Sequence, residues 1–393
     1  MVMNGNAMNP SVEILVLIHN SKKWIHRCLA SLMETEYDNF HITVLDNNSD
    51  DIDPMYLKKF FPKIEIIHFD KNIGWCAANN YGIINSRSDY IYLSNSDVYF
   101  FDKQWLQILI DESIKNNCTI SGPIQYQYDN TSCLNEWSKY ILKNGNRDVH
   151  YMWSSLISIN QKEYDYQDAE NRNLKVYFIQ GAAMLIKREL FNQIGIFDSL
   201  YFIYYDELDF CRRNKRIGNS NILITKSKVM HYGGGDTDSN RINYLFQRNK
   251  YLFIISDYKL TLFMKMEIIK KWIKKDYSLF KENRSLIRYY KMLIDILLNL
   301  LKCLKKRRRE KKMEKYIIEE KVKKCINKVL SDEEQIKNLN CSLKNDWALD
   351  SLEMMELIIY IEEEFDFVLP NRITLSDLDN PEYLVNVLLE MEL

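Results

Sequence analysis

The chain has 393 residues, 46% of them hydrophobic and 27% charged, enough for two or three domains with sizeable cores. Its net charge of −1 hides a segregation. Residues 259–315 hold 19 Lys and Arg against 6 Asp and Glu, whereas residues 331–393 hold 3 against 16, so separate modules with different partners are expected. The eight cysteines form no C-x-x-C pair, which argues against a zinc ribbon or a disulfide framework and fits a reducing, cytoplasmic setting. The N-terminus shows no basic segment followed by a long apolar one, so no signal peptide is expected. No run reaches the roughly 18–20 apolar residues of a membrane span. No recognition motif accompanies the basic segment, so nucleic acid is not an expected partner.

In chain order, V-E-I-L-V-L-I (12–18) reads as a buried strand. Trp24, Cys28, Leu29 and Leu32 then recur at helical spacing. Ile42 to Leu45 is a second strand ending in Asp46-Asn47-Asn48-Ser49, Tyr56 to Phe61 a short helix, and Ile64 to Phe69 a third strand. Asn72-Ile73-Gly74 opens a helix through Ala77, Ala78, Asn80 and Ile83. After a strand at Tyr90 to Leu93 come a helix over Trp105 to Lys115 and a strand near Thr119 to Gly122. Strands alternating with helices predict a parallel sheet with right-handed crossovers. Residues 125–175 read as a less regular, partly β insertion. Val176 to Ile179 is then a strand, Gly181-Ala182-Ala183 a tight passage, and Lys187 to Ile194 a helix closed by Gly195. F-I-Y-Y-D-E-L-D-F-C-R-R reads as a helix entered through a carboxylate cluster, and His231 follows a short strand.

The first two-thirds are organised around Y-I-Y-L-S-N-S-D-V-Y-F-F (90–101), two apolar runs separated by a turn that carries Asp97. A buried strand delivering a carboxylate at its C-terminal end is where open α/β sheets place ligands. The plainer reading is an Asx-turn in which Asp97 only accepts backbone N–H groups.

Seven motifs in order carry a resemblance over residues 1–255: V-L-I-H-N-S, V-L-D-N-N-S-D-D, N-I-G-W-C-A-A-N-N-Y-G-I, S-N-S-D, Q-G-A-A-M-L-I-K-R, Y-Y-D-E-L-D-F-C-R-R, and H-Y-G-G-G followed by Q-R-N-K. They resemble the inverting family 2 glycosyltransferases of GT-A fold, especially rhamnosyltransferase-like members. The resemblance implies a Rossmann-like mixed α/β sheet with flanking helices, a nucleotide-sugar donor, a glycan or lipid-linked acceptor and a divalent cation, Mn2+ or Mg2+. Asp97 and His231 would be its ligands, Asn95 standing where many relatives carry a first Asp. A loop histidine bonded to backbone is the plainer account of His231. Asn20, Asp46, Asn48, Asn72, Gly74, Asn80 and Asn95 would form the donor site. Asp46 would read the base, and Asn72 and Gly74 would approach ribose and diphosphate; Asn72 also suits a helix N-cap. Inversion needs one base opposite the leaving group. Glu207 aligns with it, Asp206 is the other candidate, and Asp209 would orient the site. An acidic first turn that favours the helix dipole is the plainer account of all three.

In the basic connector, Ile268, Ile269, Trp272 and Ile273 share a helical stripe among lysines, and L-I-D-I-L-L-N-L-L precedes K-K-R-R-R-E-K-K. Such a helix reads as a membrane-surface element, or as a stripe packed on the preceding domain with its charges in water.

Around Glu319 to Leu393 the pattern turns acidic and helical. S-L-K-N-D-W-A-L-D-S-L-E-M-M-E-L resembles acyl carrier proteins, a small all-α four-helix bundle whose Ser351 would carry 4'-phosphopantetheine. Ala348 replaces a usual Gly. Asp350 and Glu353 are spaced as a capping box, which puts Ser351 in an exposed first helical turn. A phosphodiester there would meet free N–H groups. An unmodified helical interaction domain is the plainer account.

The expected organisation is therefore a glycosyltransferase domain over 1–258, a basic amphipathic connector over 259–315 and a carrier-like domain over 316–393. The expected partners are a nucleotide-sugar donor, the acceptor glycan, a phosphopantetheinyl transferase and acyl-loading or transfer enzymes. The expected location is the cytoplasm, peripheral on the inner face of the membrane. The second reading is a catalytically weak glycan-binding scaffold that presents a carrier-bound acyl group to a partner acyltransferase.

Overall fold

The structure is a computed structural model that describes residues 9–135, 137–139, 173–233, 239–282, 285–330, 335–365, 369 and 374–390. Among these, the first half alternates strand and helix: β1 (Val12–Ile18), α1 (Ile25–Met33), β2 (Phe40–Asp46), α2 (Pro54–Phe60), β3 (Glu65–His68), α3 (Trp75–Asn85), β4 (Tyr90–Asn95), β5 (Val98–Tyr99), α4 (Trp105–Lys115) and β6 (Ile120–Gln127). β7 (Asn130–Leu134) and β8 (Asn173–Val176) lie towards the two ends of the insertion expected over 125–175, whose middle lies outside the described residues. Then come β9 (Ala183–Lys187), α5 (Glu189–Ile194), α6 (Asp206–Arg216), β10 (Asn221–His231) and α7 (Ser239–Ser256).

The strands join one sheet in the order β3-β2-β1-β4-β9-β6-β10-β5, with β7 beside β6 and β8 beside β10. β1 pairs in parallel with both β2 and β4. The chain thus leaves β1 in one direction for β2 and β3, then returns to its other side for β4. The strand order therefore reverses at β1, and the loops after β1 and β4 leave at the kind of switch point where open α/β sheets bind ligands.

Three expectations need correction. The sheet is not all parallel, as the alternation suggested, but mixed, as the resemblance implied: β9 runs antiparallel between β4 and β6. Val176 to Ile179 is not a strand, because pairing of β8 with β10 ends at Val176. The strand before His231 is long, spanning Asn221 to His231, with a register shift between Ile224 and Lys228.

Two apolar layers cover the sheet. One face packs on α1, α2 and α4 through Ile25, Leu29, Leu57, Trp105 and Leu109. The other packs on α3, α5, α6 and α7, and this layer also takes in the connector. The connector forms α8 (Leu262–Glu282) and α9 (Leu286–Val329), and Ile268, Phe280, Tyr289, Met292, Ile296 and Cys303 join the same core. The inner stripe therefore packs on the catalytic half, and the expected boundary at 315/316 falls inside α9, which runs unbroken for 44 residues. Among the described residues no helix is long and apolar enough to cross a membrane.

The last turns of α9 enter a separate core with α10 (Ser351–Phe365), α11 (Leu375–Leu378) and α12 (Pro381–Glu390). Ile318, Val322 and Cys325 meet Met354, Leu357, Ile361, Phe365, Leu384 and Leu388 there. Ala348 has φ +55°, a left-handed backbone that costs an L-residue on the order of 1–2 kcal/mol, which explains why glycine suits this position. The capping box forms: the Asp350 carboxylate accepts from the Glu353 N–H at 2.9 Å, and Glu353 accepts from the Asp350 N–H at 2.7 Å. Ser351, next to the cap, is exposed.

Candidate active site

The turn after β4 sets Asp97 against the end of β10. β5 pairs antiparallel with β10, placing Val98 opposite His231. The Asp97 carboxylate is nearly buried; its Oδ1 lies 3.4 Å from His231 Nε2, and its Oδ2 accepts from the Gly233 N–H at 3.1 Å. Burial pushes the carboxyl up, but His231 and the Gly233 N–H outweigh it, and the group stays below its ordinary range. The other ring nitrogen, Nδ1, is 3.0 Å from Gln125 Oε1, which also accepts from Asn135 at 3.0 Å. An acceptor there holds the proton on Nδ1, so that with a cation bound between them Nε2 would present its lone pair beside Asp97. One carboxylate oxygen and one imidazole nitrogen, spaced like neighbouring ligands around a cation at about 2.1 Å, fit a divalent ion that takes its remaining ligands from phosphate and water. Among the described residues no group of three or more His, Cys, Asp or Glu could hold a metal by itself. The plainer account of His231 is displaced, since it bonds to Gln125 and faces a carboxylate instead of capping a backbone group.

At the switch point, Asn20 and Asn48 both adopt left-handed φ, +55° and +64°, and shape the loops after β1 and β2. Asn20 Oδ1 accepts from the Asp50 N–H at 2.8 Å. Asp46 is fully enclosed: one oxygen is 2.7 Å from His68 Nδ1 and the other accepts from the Ser49 N–H. Asn47, not singled out from sequence, donates to Asn72 Oδ1 and accepts from the Ile73 N–H, tying the third motif to the end of β2. Asn72 in turn accepts from the Gly74 N–H at 3.0 Å, but it is not the cap of α3, whose N-cap residue is Gly74 itself.

Two donor-site expectations change. Gly74 has φ +89°, and a Cβ there would sit 2.6 Å from the Phe202 ring, so close packing of that ring is itself a reason for glycine here. Asn80 donates to the Phe197 carbonyl at 2.8 Å and accepts from the Phe197 N–H at 3.0 Å, so its amide supports a loop instead of meeting ligand.

That loop leads to the acidic helix. Phe202, Tyr204 and Tyr205 all have positive φ, between +66° and +69°, and each such residue costs about 1–3 kcal/mol unless its surroundings hold it. The holder is the Arg-Asn pair of Q-R-N-K on α7. Asn249 donates to the carbonyls of Tyr201, Ile203 and Tyr204 at 2.7–2.9 Å, and Arg248 donates to those of Leu200 and Tyr201 at 3.1 Å. The motif was visible in sequence; its task was not, because the strained carbonyls lie some 45 residues earlier in the chain.

At the start of α6, Asp206 is buried and Glu207 partly exposed. Burial, then the neighbouring Glu207, push Asp206 well above the ordinary carboxylate range. Burial also raises Glu207, opposed by its hydrogen bond from Asp206. Of the two, the more buried Asp206 is thus the one whose proton is held more strongly. Asp206 Oδ1 has no hydrogen-bond partner among the described residues, and the Cys76 thiol adjoins the carboxyl. Trp75 and Cys76, at the start of α3, reach the end of β4 on one side and the loop before α6 on the other. The Trp75 indole N–H donates to Asn95 Oδ1 at 3.3 Å, and the Cys76 N–H donates to the Phe202 carbonyl at 3.2 Å.

Asp209 is corrected: it does not face the reaction centre. Fully buried, it accepts from Arg212 at 2.8 Å, Arg213 at 3.1 Å, Lys306 of α9 at 2.8 Å and the Tyr201 hydroxyl at 3.3 Å. Burial would raise its carboxyl, but the three cations hold it far below the usual range.

Residues 13–195 match the family model described as Glycosyl transferase family 2. The chain carries a family 2 glycosyltransferase domain. Among similar proteins, the N-acetylglucosaminyl-diphospho-decaprenol L-rhamnosyltransferase of Mycobacterium tuberculosis is 21% identical over 265 residues, covering 63% of this chain and 84% of that one. An uncharacterised glycosyltransferase of Rickettsia typhi is 28% identical over 198 residues, covering 50% and 56%. Solved structures align more distantly. S. aureus TarS 1-349 in complex with UDP gives a TM-score of 0.47 at 14% identity, covering 73% of this chain and 80% of that one. The mannosyltransferase PcManGT from Pyrobaculum calidifontis in complex with GDP-Man and Mn2+ gives 0.47 at 11%, covering 75% and 88%. The glycosyltransferase domain thus accounts for β1 to α5, and Asp97 lies within the matched span.

Proposed function

We propose that this protein transfers a sugar from a nucleotide-diphosphate donor to an acceptor hydroxyl, with inversion, during assembly of a bacterial surface glycan. The observation that carries the reading is the pairing of Asp97 with His231, whose second nitrogen is fixed by Gln125. Asp97 and His231 would hold Mn2+ or Mg2+, which when bound supplies positive charge to the departing diphosphate. Asn20, Asn48 and Asn95 line the donor side, and Asp46 and Asn72 set its loops. Glu207, the more exposed member of its pair, takes the acceptor proton; Asp206 keeps its own proton and donates a hydrogen bond to that carboxylate. The mycobacterial relative's name specifies a polyprenyl-diphosphate-linked acceptor, and a lipid-linked glycan is the acceptor class we assign here. Eight free thiols suit a reducing cytoplasm.

The test is turnover of a nucleotide-sugar panel with Mn2+ by wild type and Asp97→Ala. Wild type should release nucleoside diphosphate and gain thermal stability from nucleotide plus Mn2+, since a ligand that binds only the folded state raises stability by RT ln(1 + [L]/Kd). Asp97→Ala should lose both. Equal turnover by the two proteins would remove Asp97 from the site.

The C-terminal bundle is proposed as a carrier, on the strength of the exposed Ser351 beside a formed capping box. Phosphopantetheinyl transferase with coenzyme A should add one 4'-phosphopantetheine to the wild type, read by intact mass, and none to Ser351→Ala. An unchanged wild-type mass would leave the bundle as an interaction domain. Acyl-loading and transfer enzymes are the partners that this reading adds.

A further inference from the structure

The connector helix α9 has two apolar faces, and only one is covered. Met292, Ile296 and Cys303 face the catalytic core, followed along the same stripe by buried Lys306 and Glu310. Ile287, Tyr290, Ile294, Leu297, Leu298 and Leu301 recur at three- and four-residue steps on the opposite side, and all are exposed, Ile287 at 86% and Leu298 at 74%. At 1.5 Å per residue this outer stripe runs about 21 Å along the helix. Lys291 and Lys302 stand exposed beside it. Beyond Leu301 the same face continues as Lys305, Arg308 and Lys312, all exposed and none paired with a carboxylate among the described residues. A patch of this length on a soluble surface marks an interaction site.

We propose that this outer face of α9 is a docking surface for an anionic lipid bilayer, its leucines and isoleucines lying at the boundary between headgroups and acyl chains and its cations on the phosphates. Charge selects this occupant. Parallel packing against a second copy would bring Lys305, Arg308 and Lys312 onto their own equivalents, and antiparallel packing would bury them against Leu297, Leu298 and Leu301; an anionic surface satisfies both halves of the stripe at once. The helix lies flat on the membrane and does not enter it, because its inner face is committed to the protein core. The assignment rests on this surface alone and not on donor or acceptor chemistry.

The experiment is co-sedimentation of the full chain with phosphatidylcholine vesicles and with vesicles in which phosphatidylglycerol replaces part of the choline lipid. Wild type should pellet with the anionic vesicles and stay in solution with the neutral ones. Leu298→Glu with Leu301→Glu, and separately Lys305→Glu with Arg308→Glu and Lys312→Glu, should each lower binding at least about tenfold. Their melting temperatures should match wild type, because every substituted side chain is exposed. Wild type remaining in solution with both vesicle types would overturn the proposal, as would variants that bind like wild type. A dimer by light scattering that Leu298→Glu with Leu301→Glu dissolves, without vesicle binding by wild type, would reassign the face to a second copy.

Discussion

Asp209→Asn should cost the fold about 3–5 kcal/mol, measured as a lowered urea midpoint, although the residue is remote from the reacting atoms. The carboxylate accepts from Arg212, Arg213 and Lys306, all nearly buried, and the neutral amide would leave three cations facing one another. Arg212 would retain Asp257 at 3.0 Å and Lys306 would retain Asp198 at 3.2 Å, so the network loosens at its centre and not at its rim. The pH dependence has a definite sign. A carboxyl held below its unfolded value contributes stability that is present above about pH 4 and fades as pH falls toward its folded value. The gap between wild type and Asp209→Asn should therefore be widest near neutrality and narrow in acid. A gap that widened on acidification would contradict the ion-pair account.

The second large effect separates the two carboxylates at the start of α6. Glu207→Gln should lower kcat by about 10²–10⁴-fold, the range that a positioned general base contributes. Asp206→Asn should be far milder, because the amide still donates the hydrogen bond that the protonated acid supplies. In wild type the acid limb of kcat/KM should lie above the ordinary carboxylate range, since burial raises Glu207. The reverse ranking, with Asp206→Asn inactive and Glu207→Gln active, would exchange their roles.

Much of the molecule was legible because its signals are local. The strands at 12–18 and 90–93 are short apolar runs ended by polar residues, and α4 begins and ends where periodicity put it. The turn at Asp97 could be recognised because strand, turn and strand are contiguous. Whatever depended on distant pairing could not. Nothing near Gln125 announces that its neighbour across the sheet is β10, nor does Asn249 disclose the carbonyls it gathers. Asp209 looked like a member of the acidic cluster because its partner Lys306 lies 97 residues on. The connector was ambiguous for a different reason. A helix with apolar residues on two sides satisfies both a packed and an interfacial reading, and only the sheet's second layer decides which side is which.

The unbroken span of α9 bears on how the two ends of the chain cooperate. Forty-four residues of one helix measure about 66 Å, with one end set in the sheet's helix layer and the other in the C-terminal core. Phe365 of α10 also lies against the turn at Gly218, directly after α6, and Lys321 reaches Asn219. The bundle is therefore mounted on a strut and braced, and it does not swing on a tether. Under the proposed carrier role, a group on Ser351 would travel no farther than its own pendant arm, and loading and unloading enzymes would come to a fixed station.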